Sequence, residues 1–168
     1  MRILSQRIKI HLLLAGSLAL ACASGCDRGD HPGQIGKPAP TFNVSDGQQS
    51  VDLGKLRGRV VVLNFWATWC PPCVEELPSL LALQHQMPGI SVVGISTDED
   101  ATVYRNFLAQ HHVDLTTVRD GAQHVNALYG SFRFPETYII DRNGIVRRKF
   151  IGPQQWTSRE ITEFLQKL

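Results

Sequence analysis

Two cysteines separated by two prolines, Cys70-Pro71-Pro72-Cys73, are the residues of this chain best suited to do chemistry. Thiol-disulfide exchange needs one sulfur that ionises readily and a second close enough to displace the mixed disulfide that the first one forms. Two intervening residues meet both needs. The spacing is too tight to staple a long loop and suits a catalytic dithiol or half of a zinc site. Zinc needs further ligands. The sequence has no second Cys-x-x-Cys pair and no His-x₃₋₅-His run, for His111 and His112 are adjacent while His85 and His124 stand alone. No metal site is expected, and the electrons are expected to ride on the Cys70/Cys73 pair itself with no bound cofactor.

The elements around the pair say how it is held. Residues 60–66, Val-Val-Val-Leu-Asn-Phe-Trp, are almost uniformly apolar and β-branched, as in a strand covered on both faces. From Pro71 to about Met87 the spacing of Val74, Leu77, Leu80, Leu81 and Leu83 predicts a helix, with Pro71 suited to its first turn and Pro88-Gly89 stopping it. Cys70 therefore sits where a strand gives way to a helix. Unpaired backbone N–H groups and the helix dipole are expected to favour its thiolate there. Cys70 is the expected attacking nucleophile, and Cys73, one turn further in, the shielded resolving thiol. Pro78 should remove one hydrogen bond from this helix and kink it.

Further elements follow from pattern. Residues 41–44 and 50–53, joined through Asp46-Gly47, predict a small hairpin. A second buried strand is predicted at 90–96, and a helix at 101–111 with Val103, Phe107 and Leu108 on one face. A short strand at 115–118 and a helix at 122–128 continue the alternation. Residues 137–140, the Asp141-Arg142-Asn143-Gly144 turn and residues 145–150 read as strand, turn and strand. Thr157 or Ser158 can cap a last helix that buries Ile161, Phe164, Leu165 and Leu168. Such alternation implies an α/β fold with helices on a mixed sheet.

The N-terminus reads differently. Arg2, Arg7 and Lys9 precede an apolar run from Leu12 to Ala21, and small residues follow, which is the order of a secretory signal. The run is shorter than the ~20 residues that span a bilayer. Cys22 and Cys26 each follow small residues in a way that resembles the lipobox of bacterial lipoproteins, with Cys26 favoured and Cys22 open. The expected division is a lipoprotein-type signal peptide over 1–25, a flexible tether over 26–36 and one domain over 37–168. Residues 1–25 carry three of the 17 basic residues and none of the 15 acidic ones, so the remainder is near neutral. No basic stripe with interleaved aromatics remains, which argues against nucleic acid as a partner. Arg147-Arg148-Lys149 reads as a solvated strand end.

Asn64-Phe65-Trp66-Ala67-Thr68-Trp69-Cys70-Pro71-Pro72-Cys73 resembles the active-site segment of the thioredoxin superfamily. Glu75-Glu76-Leu77-Pro78 and Phe134-Pro135-Glu136-Thr137-Tyr138-Ile139-Ile140-Asp141 are similar to its TlpA/ResA/CcmG branch, and the resemblance runs from about Ile35 to Leu168. It implies a thioredoxin fold, a central mixed β-sheet flanked by helices, with an N-terminal β-hairpin and one inserted central helix at 101–111. It also implies thiol-disulfide exchange with partner proteins, of which apocytochrome c during haem attachment is one, and electrons drawn from a membrane thiol relay. A monomer is expected, lipid-anchored in the bacterial cell envelope outside the cytoplasm, on the periplasmic side in a Gram-negative cell.

By the same resemblance Pro135 is the cis-proline beside the dithiol, where a backbone edge without an N–H lets an extended substrate lie along Cys70. Trp69, Pro71, Pro72 and Phe134 would line the substrate groove, with Trp66 in the core. Many thioredoxins bury an aspartate where this chain has Asn64, and an amide is no base for the proton that Cys73 must lose. Glu76, three residues after Cys73 on the same helical face, is the expected replacement, a partly buried acid with a raised pKa, while Glu75 is the exposed one. Two rivals fit less well. A thiol peroxidase would show Thr-x-x-Cys, but Thr68 lies two residues before Cys70; a copper-delivery module of the Sco kind has three residues between its cysteines and a matched distal histidine, a place that His124 does not clearly take.

Overall fold

The computed structural model describes residues 33–168. The expected signal peptide over 1–25, the lipidation candidates Cys22 and Cys26 and most of the tether lie outside the described residues. The end of the tether, however, is bonded to the domain: Gly36 donates its N–H to the Val146 carbonyl at 2.8 Å, and Gln34 Nε2 donates to the Leu128 carbonyl at 3.3 Å.

β1 (Asn43–Ser45) and β2 (Ser50–Asp52) form an antiparallel two-stranded sheet. The Asp46 carboxylate closes their turn by accepting the N–H groups of Gln48 and Gln49. A 3₁₀ turn at Leu53–Leu56 leads into the main sheet, made of β3 (Val60–Trp66), β4 (Ile90–Ser96), β5 (Thr116–Arg119), β6 (Glu136–Ile140) and β7 (Val146–Ile151). Their order is β5-β4-β3-β6-β7, with the first three parallel and the last two antiparallel to their neighbours. α1 (Pro71–Gln86) links β3 to β4, and α4 (Arg159–Gln166) ends the chain. Between β4 and β6 run α2 (Ala101–Gln110), β5 and α3 (His124–Tyr129), so the expected inserted helix comes with an added edge strand.

The alternation of side chains along β3 divides the core into two layers. Val60, Val62 and Trp66 pack with Cys73, Leu77, Leu80 and Leu83 of α1, with Ile161 and Leu165 of α4 and with Trp156. Val61, Leu63 and Phe65 face the other way, onto Val125 and Tyr129 of α3 and onto Val51 and Leu53. All seven β3 residues are buried, which is what a strand without a polar face requires. Each of the α1 leucines contributes about 1.5–3 kcal/mol by burial. Pro78 lies on the exposed side of α1, where water can serve the carbonyl left by its missing N–H.

Two expectations about faces are corrected. In α2, Val103 is 52% exposed, and the buried residue is its neighbour Tyr104, whose hydroxyl donates to Thr117 Oγ1 at 3.3 Å. A hydroxyl partner across the layer allows the amphipathic ring inside and turns the smaller valine out. The basic triplet on β7 is not a solvated strand end. Arg147 pairs with Asp141 at 2.6 Å, Arg148 lies over the Phe150 ring and pairs with Glu160, and the Lys149 side chain, 6% exposed, pairs with Glu136 at 3.0 Å.

Candidate active site

Cys70 lies past the end of β3, beyond Ala67, Thr68 and Trp69, and is the extended N-cap residue of α1, which starts at Pro71. Its sulfur is joined to that of Cys73 in a disulfide, with the two Cα atoms 5.3 Å apart. Cys70 is 5% exposed and Cys73 is fully buried, so of the two residues only Cys70 reaches solvent. That exposure is less than an open nucleophile would have.

The head of α1 offers fewer donors than a helix start ordinarily does. Pro71 and Pro72 occupy its first two positions and carry no N–H, while the N–H groups of Cys73 and Val74 both go to the Cys70 carbonyl. The expectation of unpaired N–H groups around the Cys70 thiolate is therefore wrong. What remains to favour the anion is the dipole of α1.

Beneath the dithiol, Glu76 is 2% exposed. Its Oε1 accepts from Asn64 Nδ2 at 2.8 Å, and its Oε2 accepts from the Gln154 N–H at 3.0 Å and from Trp156 Nε1 at 3.1 Å. Asn64 Nδ2 also donates to Thr137 Oγ1, and Asn64 Oδ1 is buried with no partner. Burial pushes the Glu76 carboxyl above its usual value, and the three neutral donors offset only part of that shift. Cys73 and Glu76 share a face of α1 because residues three apart on a helix are neighbours. Glu75 is exposed.

The rim is aromatic. Trp69 is 62% exposed and meets the Phe134 ring edge to face at 6.0 Å, whereas Trp66 is fully buried. Phe134 is joined to Pro135 by a cis peptide bond, and Pro135 is buried with its carbonyl accepting from Gly152 N–H. Pro71 is exposed and Pro72 half-buried. Cys70, Cys73, Glu76, Trp69, Pro71, Pro72, Phe134 and Pro135 thus gather around one end of the sheet. A concavity bounded by Val51, Leu56, Arg59, Ile90 and Val92 shares no residue with them. An exposed rim of aromatic and proline side chains offers a surface on which a macromolecular partner can lie.

Sequence reasoning missed three contributors. Gln154 and Trp156 lie in a loop some 80 residues from Glu76, and the one available signal was that a buried indole N–H needs an acceptor. Asp98 lies just beyond β4, after Thr97, and is 2% exposed; its carboxylate accepts the Thr68 N–H at 3.1 Å, the Thr68 hydroxyl at 2.5 Å and the Ser96 hydroxyl at 2.6 Å, fixing the loop that precedes Trp69 and Cys70. The Thr68 hydroxyl is thereby committed to Asp98. His124 opens α3, on the other side of the sheet from α1. Among the described residues no three His, Cys, Asp or Glu side chains converge as a metal-ligand set, and no helix is long and apolar enough to cross a membrane.

A family model described as Redoxin matches residues 34–168. The thiol-disulfide oxidoreductase ResA of Bacillus anthracis is 32% identical over 165 residues, covering 96% of this chain and 94% of that relative. The thiol:disulfide interchange protein DsbE of Pseudomonas aeruginosa is 34% identical over 122 residues, covering 70% of this chain and 67% of that one. Among solved structures, a Chlorobium tepidum protein described as a thiol:disulfide interchange protein DsbE is similar with a TM-score of 0.73 and 30% identity, over 79% of this chain and 96% of the other.

Proposed function

The chain belongs to the Redoxin family and is a thiol-disulfide oxidoreductase, and from that premise we propose that it works outside the cytoplasm, reducing disulfides in particular protein partners. The reading rests above all on the Cys70/Cys73 disulfide at the head of α1, with Cys70 5% exposed, Cys73 fully buried and Glu76 three residues further along the same helix. In the dithiol form the Cys70 thiolate attacks one sulfur of the partner's disulfide, and the other partner sulfur leaves as a thiolate. Cys73 passes its proton to the Glu76 carboxylate and attacks Cys70 Sγ. The bond between Cys70 and the partner breaks, the second partner sulfur leaves, and the Cys70–Cys73 disulfide remains. Two electrons have moved to the partner, and an external dithiol must supply two more.

The thin set of donors around Cys70 supports the reducing direction. Strong oxidants of this kind owe their potential to a stabilised reduced form, and here two prolines withhold the N–H groups that would stabilise a thiolate. We assign the external dithiol to a membrane thiol relay and the partner to the haem-attachment cysteines of apocytochrome c, with no bound cofactor. The protein acts as a monomer held at the membrane by a lipid on Cys26. Release of a Cys26→Ser variant from the membrane fraction is expected; unchanged retention would contradict a lipid at that residue.

The exchange itself is tested by trapping. A Cys73→Ser variant should accumulate partner proteins linked to Cys70, released by dithiothreitol and absent when Cys70 is also changed to serine. Equal recovery from the single and double variants would overturn the assignment.

A further inference from the structure

The segment from Ser131 to Phe134, which carries the chain from α3 into β6, has features that sulfur exchange does not use. Phe132 is 70% exposed, more than any other large apolar side chain among the described residues. A lone exposed ring calls for no explanation. This one, however, lies two residues from Phe134, which touches the exposed Trp69 beside Cys70. Phe132 thus stands two residues along the chain from the apolar rim of the dithiol.

The backbone of the same segment is open. The N–H and C=O groups of Phe132, Arg133 and Phe134 make no hydrogen bond within the described residues. Its two ends are fixed: the Ser131 N–H donates to the Asn126 carbonyl, and the Pro135 carbonyl accepts from Gly152. A short stretch held at both ends with its main chain unsatisfied can take up an extended peptide, with side chains on either side to read that peptide. Arg133 lies within this stretch and its side chain is 59% exposed. Its Nε is 3.7 Å from Glu136 Oε1, beyond hydrogen-bond distance, and Glu136 already has Lys149 at 3.0 Å. The guanidinium is left with charge to offer an outside carboxylate.

We propose that Phe132 and Arg133 form a specificity site that selects partner segments carrying an apolar side chain and a carboxylate within about three residues of the reacting cysteine, the reach of extended chain from Phe134 to Phe132 and one residue beyond. The proposal rests on the reading of Cys70 as the attacking sulfur. The partner's apolar side chain covers the Phe132 ring, its carboxylate meets Arg133, and its main chain bonds the open groups between them. Covering one such ring is enough to change a rate constant by about tenfold.

The test uses the reduced full chain and three disulfides. Two are peptides linked to glutathione through a central cysteine, one flanked by Leu and Asp and the other by Ser and Lys. The third is bis(2-hydroxyethyl) disulfide. The second-order rate constant for each is measured. The wild type should favour the Leu/Asp peptide over the Ser/Lys peptide by about tenfold or more. Phe132→Ala should lower the ratio of the Leu/Asp rate to the hydroxyethyl rate by a similar factor, Phe132→Leu should keep most of it, and Arg133→Ala should lower the same ratio by more than about twofold. Equal rates with both peptides, or ratios that stay within about twofold of wild type in Phe132→Ala and Arg133→Ala, would overturn the specificity site while leaving the oxidoreductase reading intact. Failure of the wild type to reduce even the hydroxyethyl disulfide would overturn that reading, and the specificity site with it.

Discussion

Two glutamates are buried on opposite faces of the sheet, Glu76 three residues after Cys73 and Glu136 beside Pro135, and their surroundings differ. Glu76, 2% exposed, is met by an amide, a backbone N–H and an indole, all neutral. Glu136, 1% exposed, follows Pro135 and faces cations: Lys149 at 3.0 Å, placed as an ion pair rather than as a directed hydrogen bond, and Arg133 at 3.7 Å. Lys149 also lies over the Tyr138 ring. Burial alone does not decide what a carboxyl is for. Among neutral donors it can gain or lose a proton at little cost to its neighbours, whereas opposite a buried lysine it is half of a charge-balanced strut.

Breaking the strut should have the largest effect. Lys149→Met leaves Glu136 buried without its main cation and should lower unfolding free energy by about 3–5 kcal/mol, measured by urea denaturation. Adding Glu136→Gln should recover most of that loss. A cost below about 1 kcal/mol for Lys149→Met would mean that Glu136 is solvated, and the contrast with Glu76 would vanish.

Glu76→Gln should do the reverse, sparing the fold and slowing the chemistry. The new amide oxygen can accept from Gln154 and Trp156, and its NH₂ can face Asn64 Oδ1, now unpartnered, once that amide turns over. At pH 4.5, stability should change by less than about 1 kcal/mol. Resolution of a Cys70 mixed disulfide with thionitrobenzoate should slow by about 10²-fold or more, the usual size of a lost general base. An unchanged stopped-flow rate would remove Glu76 from the cycle.

The smallest effect is on stability against pH. A carboxyl whose folded-state pKa is raised stabilises the native state fully below its unfolded value, near 4.5, and that contribution is lost as pH rises through the folded value. Wild type should therefore lose stability relative to Glu76→Gln as pH rises from 4.5, by no more than about 1.4 kcal/mol per pH unit. Parallel curves would show that burial does not perturb this carboxyl.

The same contrast explains what the sequence made legible. The uniformly apolar runs at Val60–Trp66 and Ile90–Ser96 carry their own signal, and both strands lie where the pattern puts them. Cys70, Cys73 and Glu76 are local too, within two turns of one helix. Lys149 was misread because its partner Glu136 lies on the neighbouring strand, and nothing in Arg147-Arg148-Lys149 says which side chain turns inward. Trp156 and Gln154 were missed because they meet Glu76 from the loop between β7 and α4, far from it along the chain. Val103 was put inside because hydropathy ranks it above Tyr104, and the hydroxyl of Thr117 that admits the tyrosine comes from β5. Patterns show elements, while long-range polar partners decide which side chain fills a place between them.

The most direct test of the account is a redox titration of the folded protein. The full chain is equilibrated across mixtures of reduced and oxidised dithiothreitol, its free thiols are alkylated and mapped by mass, and far-UV circular dichroism is recorded at each point. One two-electron transition shared by Cys70 and Cys73 is predicted, with Cys70 alkylated faster than Cys73 in the reduced state and the spectrum unchanged throughout. A pair that stays locked until the protein unfolds, or a Cys73 that reacts first, would contradict it.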